Sequence, residues 1–436
     1  MKRRFFKYIT NSALGMLGIS LYILVDTFFI SKASGSDGIT VLNLVLPLYW
    51  LIYALAAMIG VGSSTYFNLH KDKDSNTNGI FFHALTFQLI FSIPFVILGI
   101  FYPTLWLKIM GGDETICSLG EDYVRFVLIF APFFITNYTF TSFVRNDNGP
   151  RLVMIADLST SALNIVLDYV LMFTFKMGLG GAALATALAT ALSSMICTIH
   201  FFKKKCSIGF KYIKPSFKLL GESCKLGFSS FIGEINGAVT TTIFNFLILN
   251  LSGNVGVAAY GIVANIAMVA LAIFNGIAQG TQPLVSECTR KEDYENRRLV
   301  LRLGIITNFC ISLVFVLSSF LFTNTIIKIF NTENNKELAD IAYYAVRLYS
   351  LGYLVASINT IIINYYSSSG KVKIAFILSI LKGVINISIT AIIMSLLFKL
   401  NGIWLSFIVA EIETFIVVII LGKNRSKKNE ESIQEY

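Results

Sequence analysis

The sequence predicts an all-α integral membrane protein with twelve transmembrane helices. These form two parallel six-helix lobes related by a pseudo-two-fold axis along the membrane normal. Three observations carry that prediction. Of the 436 residues, 55% are apolar and only 14% charged, whereas soluble proteins carry about 25% charged residues. The mean hydropathy is +0.70. The apolar residues also fall in uninterrupted runs of about 20, the length a helix needs to cross a bilayer. The runs lack the alternation of a transmembrane barrel strand, and a lipid-facing backbone must satisfy its own polar groups. Disordered chains, disulfide-stapled secreted domains and soluble enzymes are excluded.

Polar, charged and Gly/Pro-rich breaks divide the chain into helices near 8–31, 38–69, 79–101, 121–144, 152–175 and 180–202. A second set follows near 218–250, 256–287, 299–323, 338–366, 373–397 and 401–422. The basic start Met1-Lys-Arg-Arg imitates a signal peptide, but the apolar run behind it contains Asp26 and no small-residue cleavage site, so it reads as the first helix. The organisation expected is an N-lobe over 1–202 carrying a cation or proton site, a basic cytoplasmic linker over 203–217, a C-lobe over 218–422 and a cytoplasmic tail over 423–436.

Basic residues set the orientation. With the N-terminus inside, 25 Lys and Arg fall on the cytoplasmic side and six, Lys32, Lys108, Lys176, Lys328, Lys336 and Lys399, on the other. That imbalance places both termini in the cytoplasm of a cell-membrane protein. The run Lys203–Lys205 is an orientation signal of this kind, with contact to anionic lipid.

The halves repeat. Gly35-Ser-Asp-Gly38-Ile39 aligns with Gly253-Asn-Val-Gly256-Val257 at an offset of 218, which also pairs Gly62 with Gly280. At an offset of 222, Arg125 meets Arg347, Asn164 meets Asn386 and Gly180 meets Gly402. Six helices per copy is an even number, so both copies share one orientation. Parallel repeats of this type are a transporter architecture with the binding site between the halves.

Ionisable groups deep in a span cost about 2.5–3.5 kcal/mol each on insertion scales, so each needs a reason. Asp26 shares its helix face with Gly15, Gly18 and Tyr22. Asp157, Ser161, Asn164 and Asp168 form one stripe at i, i+4, i+7, i+11, and Thr186, Thr190 and Ser193 form another. If helices 1, 5 and 6 meet, two carboxylates, an amide and a hydroxyl converge. Two like charges there need a shared proton or a cation. Asp26 and Asp168 align with Phe244 and Thr390 in the second copy, so the carboxylates belong to one half only. Arg125 and Arg347 recur and read as structural. The second half offers Glu234, which would attract a cationic substrate, then Gln279 and Gln282, and the acids Glu411 and Glu413. Lys382 and Glu411 are expected to pair with each other.

The six cysteines contain no Cys-x-x-Cys pair and there are three histidines, so neither a disulfide framework nor a metal cluster is expected. Walker A, Gly-x-Ser-x-Gly and His-Glu-x-x-His motifs are absent. No nucleotide, nucleic acid or cofactor is therefore expected beyond a coupling ion.

The stretch Leu21-Tyr-Ile-Leu-Val-Asp26-Thr-Phe-Phe-Ile-Ser, then Gly35…Gly38-Ile39…Leu42-Asn43…Pro47 and Met58-Ile-Gly60-Val-Gly62-Ser-Ser, resembles the multidrug and toxic compound extrusion (MATE) family. So do Asn146-Asp-Asn-Gly149-Pro150, Leu163-Asn164-Ile-Val-Leu-Asp168 and Gly180-Gly181-Ala-Ala-Leu-Ala-Thr186. The likeness is to its bacterial and archaeal branch, with DinF-like and MepA-like members. It implies a V-shaped pair of lobes exporting drugs or other organic compounds against Na⁺ or H⁺. It further implies a coupling-ion site at Asp26, Asn164, Asp168 and Thr186, with Na⁺ held by the first three, Tyr22 nearby, and Glu234 where some members carry a functional acid. Gln282 is a candidate for the substrate or proton pathway. The chain is expected to act as a monomer. Gly227-Phe-Ser-Ser lacks the proline common in the family after that glycine. The competing readings are a lipid-linked saccharide flippase of the same superfamily and, from another class, a membrane enzyme or structural subunit without transport.

Overall fold

The computed structural model describes residues 1–71, 79–203, 206–209, 211–330 and 335–434. Lys73, Lys204, Lys205 and the last two residues of the tail lie outside them. The described chain is almost entirely helical. Its spans are α1 (Lys2–Gly35), α2 (Asp37–His70), α3 (Ile80–Phe101), α4 (Glu114–Ile129 with Ala131–Asn146), α5 (Pro150–Thr174) and α6 (Gly178–Phe202). The second set is α7 (Phe217–Gly253), α8 (Val255–Arg290), α9 (Tyr294–Leu321) and α10 (Lys336–Ser368), followed by Val372–Leu421. That last stretch of 50 residues would be about 75 Å long as one helix, more than twice the hydrocarbon core. Its backbone breaks at Lys399 (φ 50°, ψ −131°), so it forms two spans, α11 (372–398) and α12 (400–421).

The joints follow from single residues. Gly35 (φ 61°, ψ −144°) turns α1 into α2, and Gly253 (φ 60°, ψ −155°) turns α7 into α8. This backbone region favours glycine, and Lys399 is the non-glycine residue that adopts a similar conformation, at the α11–α12 break. The same offset relates Gly38, whose added Cβ would strike Ser34 and Ile30, to Gly256, whose Cβ would strike Ser252 and Ile248. The repeat read in the sequence is thus a repeat of local structure.

One element differs from its sequence expectation. The fourth helix was expected unbroken over 121–144, but it bends by 44° between Ile129 and Ala131. Pro132 stands in the first turn of the second segment, where its ring and missing N–H are incompatible with continuing the preceding helix. Short helices Leu105–Ile109 and Thr323–Phe330 also appear where connections were expected.

Two large apolar cores stand apart. One gathers Ile30, Val45, Ile52, Val124, Phe134 and Ala183, and the other Phe244, Phe274, Ala345, Tyr353 and Trp404. The halves are joined at the end that holds the N-terminus. There Phe5, Tyr8 and Ile9 of α1 pack on Ile277, Leu284 and Val285 of α8, and Arg4 pairs with Glu287 at 2.7 Å. On the pseudo-symmetric side α2 crosses α7 with backbones in contact: a Cβ on Gly62 would lie 2.1 Å from the Ser223 carbonyl, and one on Gly227 1.9 Å from the Met58 carbonyl. Asn68 Nδ2 donates to the Pro283 carbonyl at 3.3 Å, and Arg145 Nη1 to Gln279 Oε1 at 2.7 Å. Away from this seam the halves part. Gly233 and Gly237 of α7 and Gly261 of α8 face open space, and α1 and α7 are the least buried of the ten long apolar helices among the described residues.

Candidate functional site

The acids of the first half meet under α1. Asp26 projects from α1, Asn164 and Asp168 from α5 and Thr186 from α6, and all four are buried. Helical spacing puts Asn164 and Asp168 one turn apart on the same face of α5. The small residues Gly180, Gly181, Ala182, Ala183 and Ala185 let α6 approach its neighbours closely. Asn164 Nδ2 donates to Thr186 Oγ1 at 3.1 Å, which leaves the amide oxygen facing away from that bond. Asp26 Oδ1, Asn164 Oδ1 and both oxygens of Asp168 are buried without a hydrogen-bond partner in the protein. Asp26 lies within electrostatic reach of Asp168.

Buried polar atoms are nearly always paired, and an unpaired buried acceptor costs about 1–3 kcal/mol. Four acceptor oxygens on three residues, none of them hydrogen-bonded within the protein, form a set that a proton or a hard cation would complete. Tyr22, half-buried on α1, feels the charges of Asp26, Asp168 and Asp157. Asp157 itself lies further toward the seam, where an added Cβ on Gly15 would come 2.6 Å from its Oδ2. Gly18 packs likewise on Leu158 and Ser161. The glycines of α1 here allow close approach to α5.

The other sequence candidates fall elsewhere. Glu234, half-buried on α7, accepts a 3.0 Å hydrogen bond from the Tyr138 hydroxyl of α4. That bond joins the two halves about two turns along α7 from the Gly62–Gly227 crossing. Gln282 does not join that contact: it is buried in the seam and donates to Thr65 Oγ1 of α2 at 2.6 Å. Lys382 and Glu411 pair as expected, at 3.5 Å. Arg125 pairs with Glu121 and Asp122 on its own helix, and Arg347 donates to Thr323 and stacks on Tyr343.

Sequence reading missed the aromatic wall between the acids and Glu234. Tyr49 stacks on Tyr53 at 5.8 Å, and Tyr53 meets Tyr138 at 5.9 Å. The helical spacing of Tyr49 and Tyr53 was visible, but which face of α2 it served was not.

It also missed a cluster at the seam end. Asp147, His200 and Cys206 bring ligand atoms within 4.8 Å of one another, where no such grouping was expected from scattered cysteines and histidines. Asp147 is already compensated: Lys71 Nζ lies 3.2 Å away, His200 Nε2 lies 2.9 Å away, and the Ser207 amide donates at 2.9 Å. Burial works against the Asp147 charge, but the hydrogen bonds from His200 and Ser207, with the charge of Lys71, outweigh it and hold the carboxyl down at about 2. A depressed carboxyl adds stability above its unfolded value of about 4 and loses it as pH falls through its folded value. Asp147→Asn is therefore expected to lower the Tm of the detergent-solubilised protein near neutral pH. The gap to the unsubstituted protein should close between about pH 4 and about pH 2. A gap that stays constant with pH would contradict this account.

Twelve apolar spans among the described residues, in two repeated sets joined at one end, define a polytopic membrane protein with the parallel-repeat architecture that transporters use. Comparison with known proteins makes the assignment specific: the MatE family profile matches residues 12–170 and 230–392, and the chain belongs to the MatE family of membrane transporters, which are not enzymes. The multidrug export protein MepA of Staphylococcus saprophyticus is 26% identical over 404 residues, covering 91% of this chain and 88% of MepA. MepA of Staphylococcus aureus strain MRSA252 is 26% identical over 407 residues with the same coverage. Among solved structures, the outward-facing conformation of a multidrug resistance MATE family transporter of the MOP superfamily superposes with a TM-score of 0.91 at 22% identity. It covers 99% of this chain and 97% of its own. A MOP superfamily transporter from Pyrococcus furiosus, described by the reversed polarity of its binding pocket, gives a TM-score of 0.89 at 22% identity, covering 97% and 95%.

Proposed function

We propose that this protein is a secondary active multidrug exporter, expelling small organic and often cationic compounds in exchange for inward Na⁺ or H⁺. The observation that carries the reading is the set of unpartnered oxygens on Asp26, Asn164 and Asp168. They are supplied by different helices, and α1 also forms part of the seam through Arg4, Tyr8 and Ile9. A proton or Na⁺ bound there ties α1 to α5, and its loss leaves two carboxylates that repel each other in a low dielectric. The state of the site is thereby felt at the seam, the element that opens and closes. Alternating access follows when the loaded ion favours one arrangement of the lobes and substrate the other. No cofactor beyond the coupling ion takes part, and the chain works as a monomer.

The positive-inside bias supports a cytoplasmic seam with both termini beside it, and in that orientation the space between the lobes faces outward. Between the lobes stands Glu234, a single acid beside the aromatic ring of Tyr138, suited to a flat organic cation. Glu234→Gln is expected to raise the KM for a cationic dye about tenfold or more, the effect of losing a charge-assisted contact, while a neutral substrate is unaffected. Equal effects on both would remove Glu234 from substrate recognition.

The deciding experiment is dye efflux from everted vesicles, with the pH and Na⁺ gradients collapsed separately. Loss of efflux on collapsing one of them identifies the ion. Efflux indifferent to both, or translocation of lipid-linked saccharide in place of dye, would overturn the proposal.

A further inference from the structure

The second lobe repeats part of the polar arrangement of the first. Asn386 of α11, the counterpart of Asn164, donates Nδ2 to Thr414 Oγ1 of α12 at 3.1 Å, as Asn164 does to Thr186. The difference lies in charge. The first lobe leaves carboxylate oxygens without partners, whereas the second holds the ammonium of Lys382, carried on a π-helical turn Leu381–Ile385 of α11.

That ammonium sits among oxygens. Its Nζ lies 2.8 Å from Thr360 Oγ1, 3.4 Å from the Ala356 carbonyl and 3.5 Å from Glu411 Oε1. Asn359, fully buried, donates Nδ2 to the Glu411 carbonyl at 2.8 Å and to Glu411 Oε2 at 2.7 Å. Its own Oδ1 is left buried without a partner. The carboxylate, hydroxyl and backbone carbonyl oxygens around Nζ are ligands of the kind a hard cation takes. A lysine ammonium is a compact point charge able to stand in their midst.

We infer that Lys382 is a tethered cation, occupying an oxygen cradle in the second lobe that is otherwise built for a free monovalent cation of the Na⁺ class. The tether keeps Glu411 compensated throughout the cycle, so only the first lobe exchanges an ion. That last clause rests on the coupling proposed above, whereas the occupancy of the cradle does not. Removing the ammonium leaves Glu411 buried and uncompensated, and the cradle open to Na⁺.

Thermal unfolding of the full-length protein in detergent tests this, with NaCl compared against choline chloride at equal ionic strength. The background is Asp26→Asn, which removes the first-lobe contribution. In that background Lys382→Met is expected to gain a saturable, Na⁺-specific rise in Tm of about 3 °C or more. The rise should exceed any seen with Asp26→Asn alone and should vanish when Glu411→Gln is added. A folded Lys382→Met variant indifferent to Na⁺, or a rise that survives Glu411→Gln, would overturn the inference. If Lys382→Met does not fold, adding Glu411→Gln is expected to restore folding, and failure to restore it would equally overturn the inference. The dye-efflux experiment on the unsubstituted protein judges the coupling proposal separately.

Discussion

Asp26→Asn and Asp168→Asn are each expected to insert and fold normally and to abolish ion-driven accumulation. The physical reason is that the two residues act through charge while contributing no hydrogen bond to the scaffold: Asp26 Oδ1 and both Asp168 oxygens are unpartnered and buried. An amide of the same shape removes a buried charge, so stability is held or raised. What is lost is the exchangeable charge. Against an uncharged substrate, one charge carried inward across 100 mV supplies about 2.3 kcal/mol, equivalent to about a fifty-fold concentration ratio. Steady-state dye accumulation in everted vesicles is therefore expected to fall from tens-fold to near unity. Retained accumulation in a well-folded Asp168→Asn variant would remove this pair from coupling. A collapse in expression would instead mean that the carboxylates hold the helices together.

The second large effect is expected at the seam. Gly227→Val should prevent α7 from seating on α2, because its Cβ would lie 1.9 Å from a backbone carbonyl of Met58, which has no side-chain freedom with which to yield. Overpacking of this kind typically costs about 1–3 kcal/mol, enough to raise the open-seam population by about ten-fold or more. Cys288, buried beside Arg4 and Glu287 at the same end, reports on it once the other cysteines are replaced. Its thiol-labelling rate should rise by about that factor while transport falls, since both conformations are needed in turn. Unchanged labelling with unchanged transport would show that the crossing is not the moving contact.

The parts of the fold legible in the sequence were those whose physics is local. Apolar runs announced the spans, and Gly35, Gly253 and the Gly38–Gly256 pair announced the joints and the repeat. Lys382 and Glu411 could be matched because two buried opposite charges in one lobe have few other solutions. The α4 bend was available in Pro132 and was outweighed by the apolar run around it. Tyr138–Glu234 and Asp147–His200–Cys206 left no such trace: Tyr138 and Glu234 stand 96 residues apart and Asp147 and His200 53, on segments whose mutual orientation no local pattern specifies.

By itself, then, the chain determined its solvent, its helices, its two-fold repetition and the residues too costly to bury idly. Those follow from transfer energies and hydrogen-bond closure within each segment. Only the tertiary structure decided that Gln282 is consumed in the seam, that Glu234 meets Tyr138 across the two halves and that Lys382 is surrounded by oxygens. Each of those depends on which faces of distant helices touch, and a rotation of one residue about a helix axis, some 100°, would exchange one partner for another.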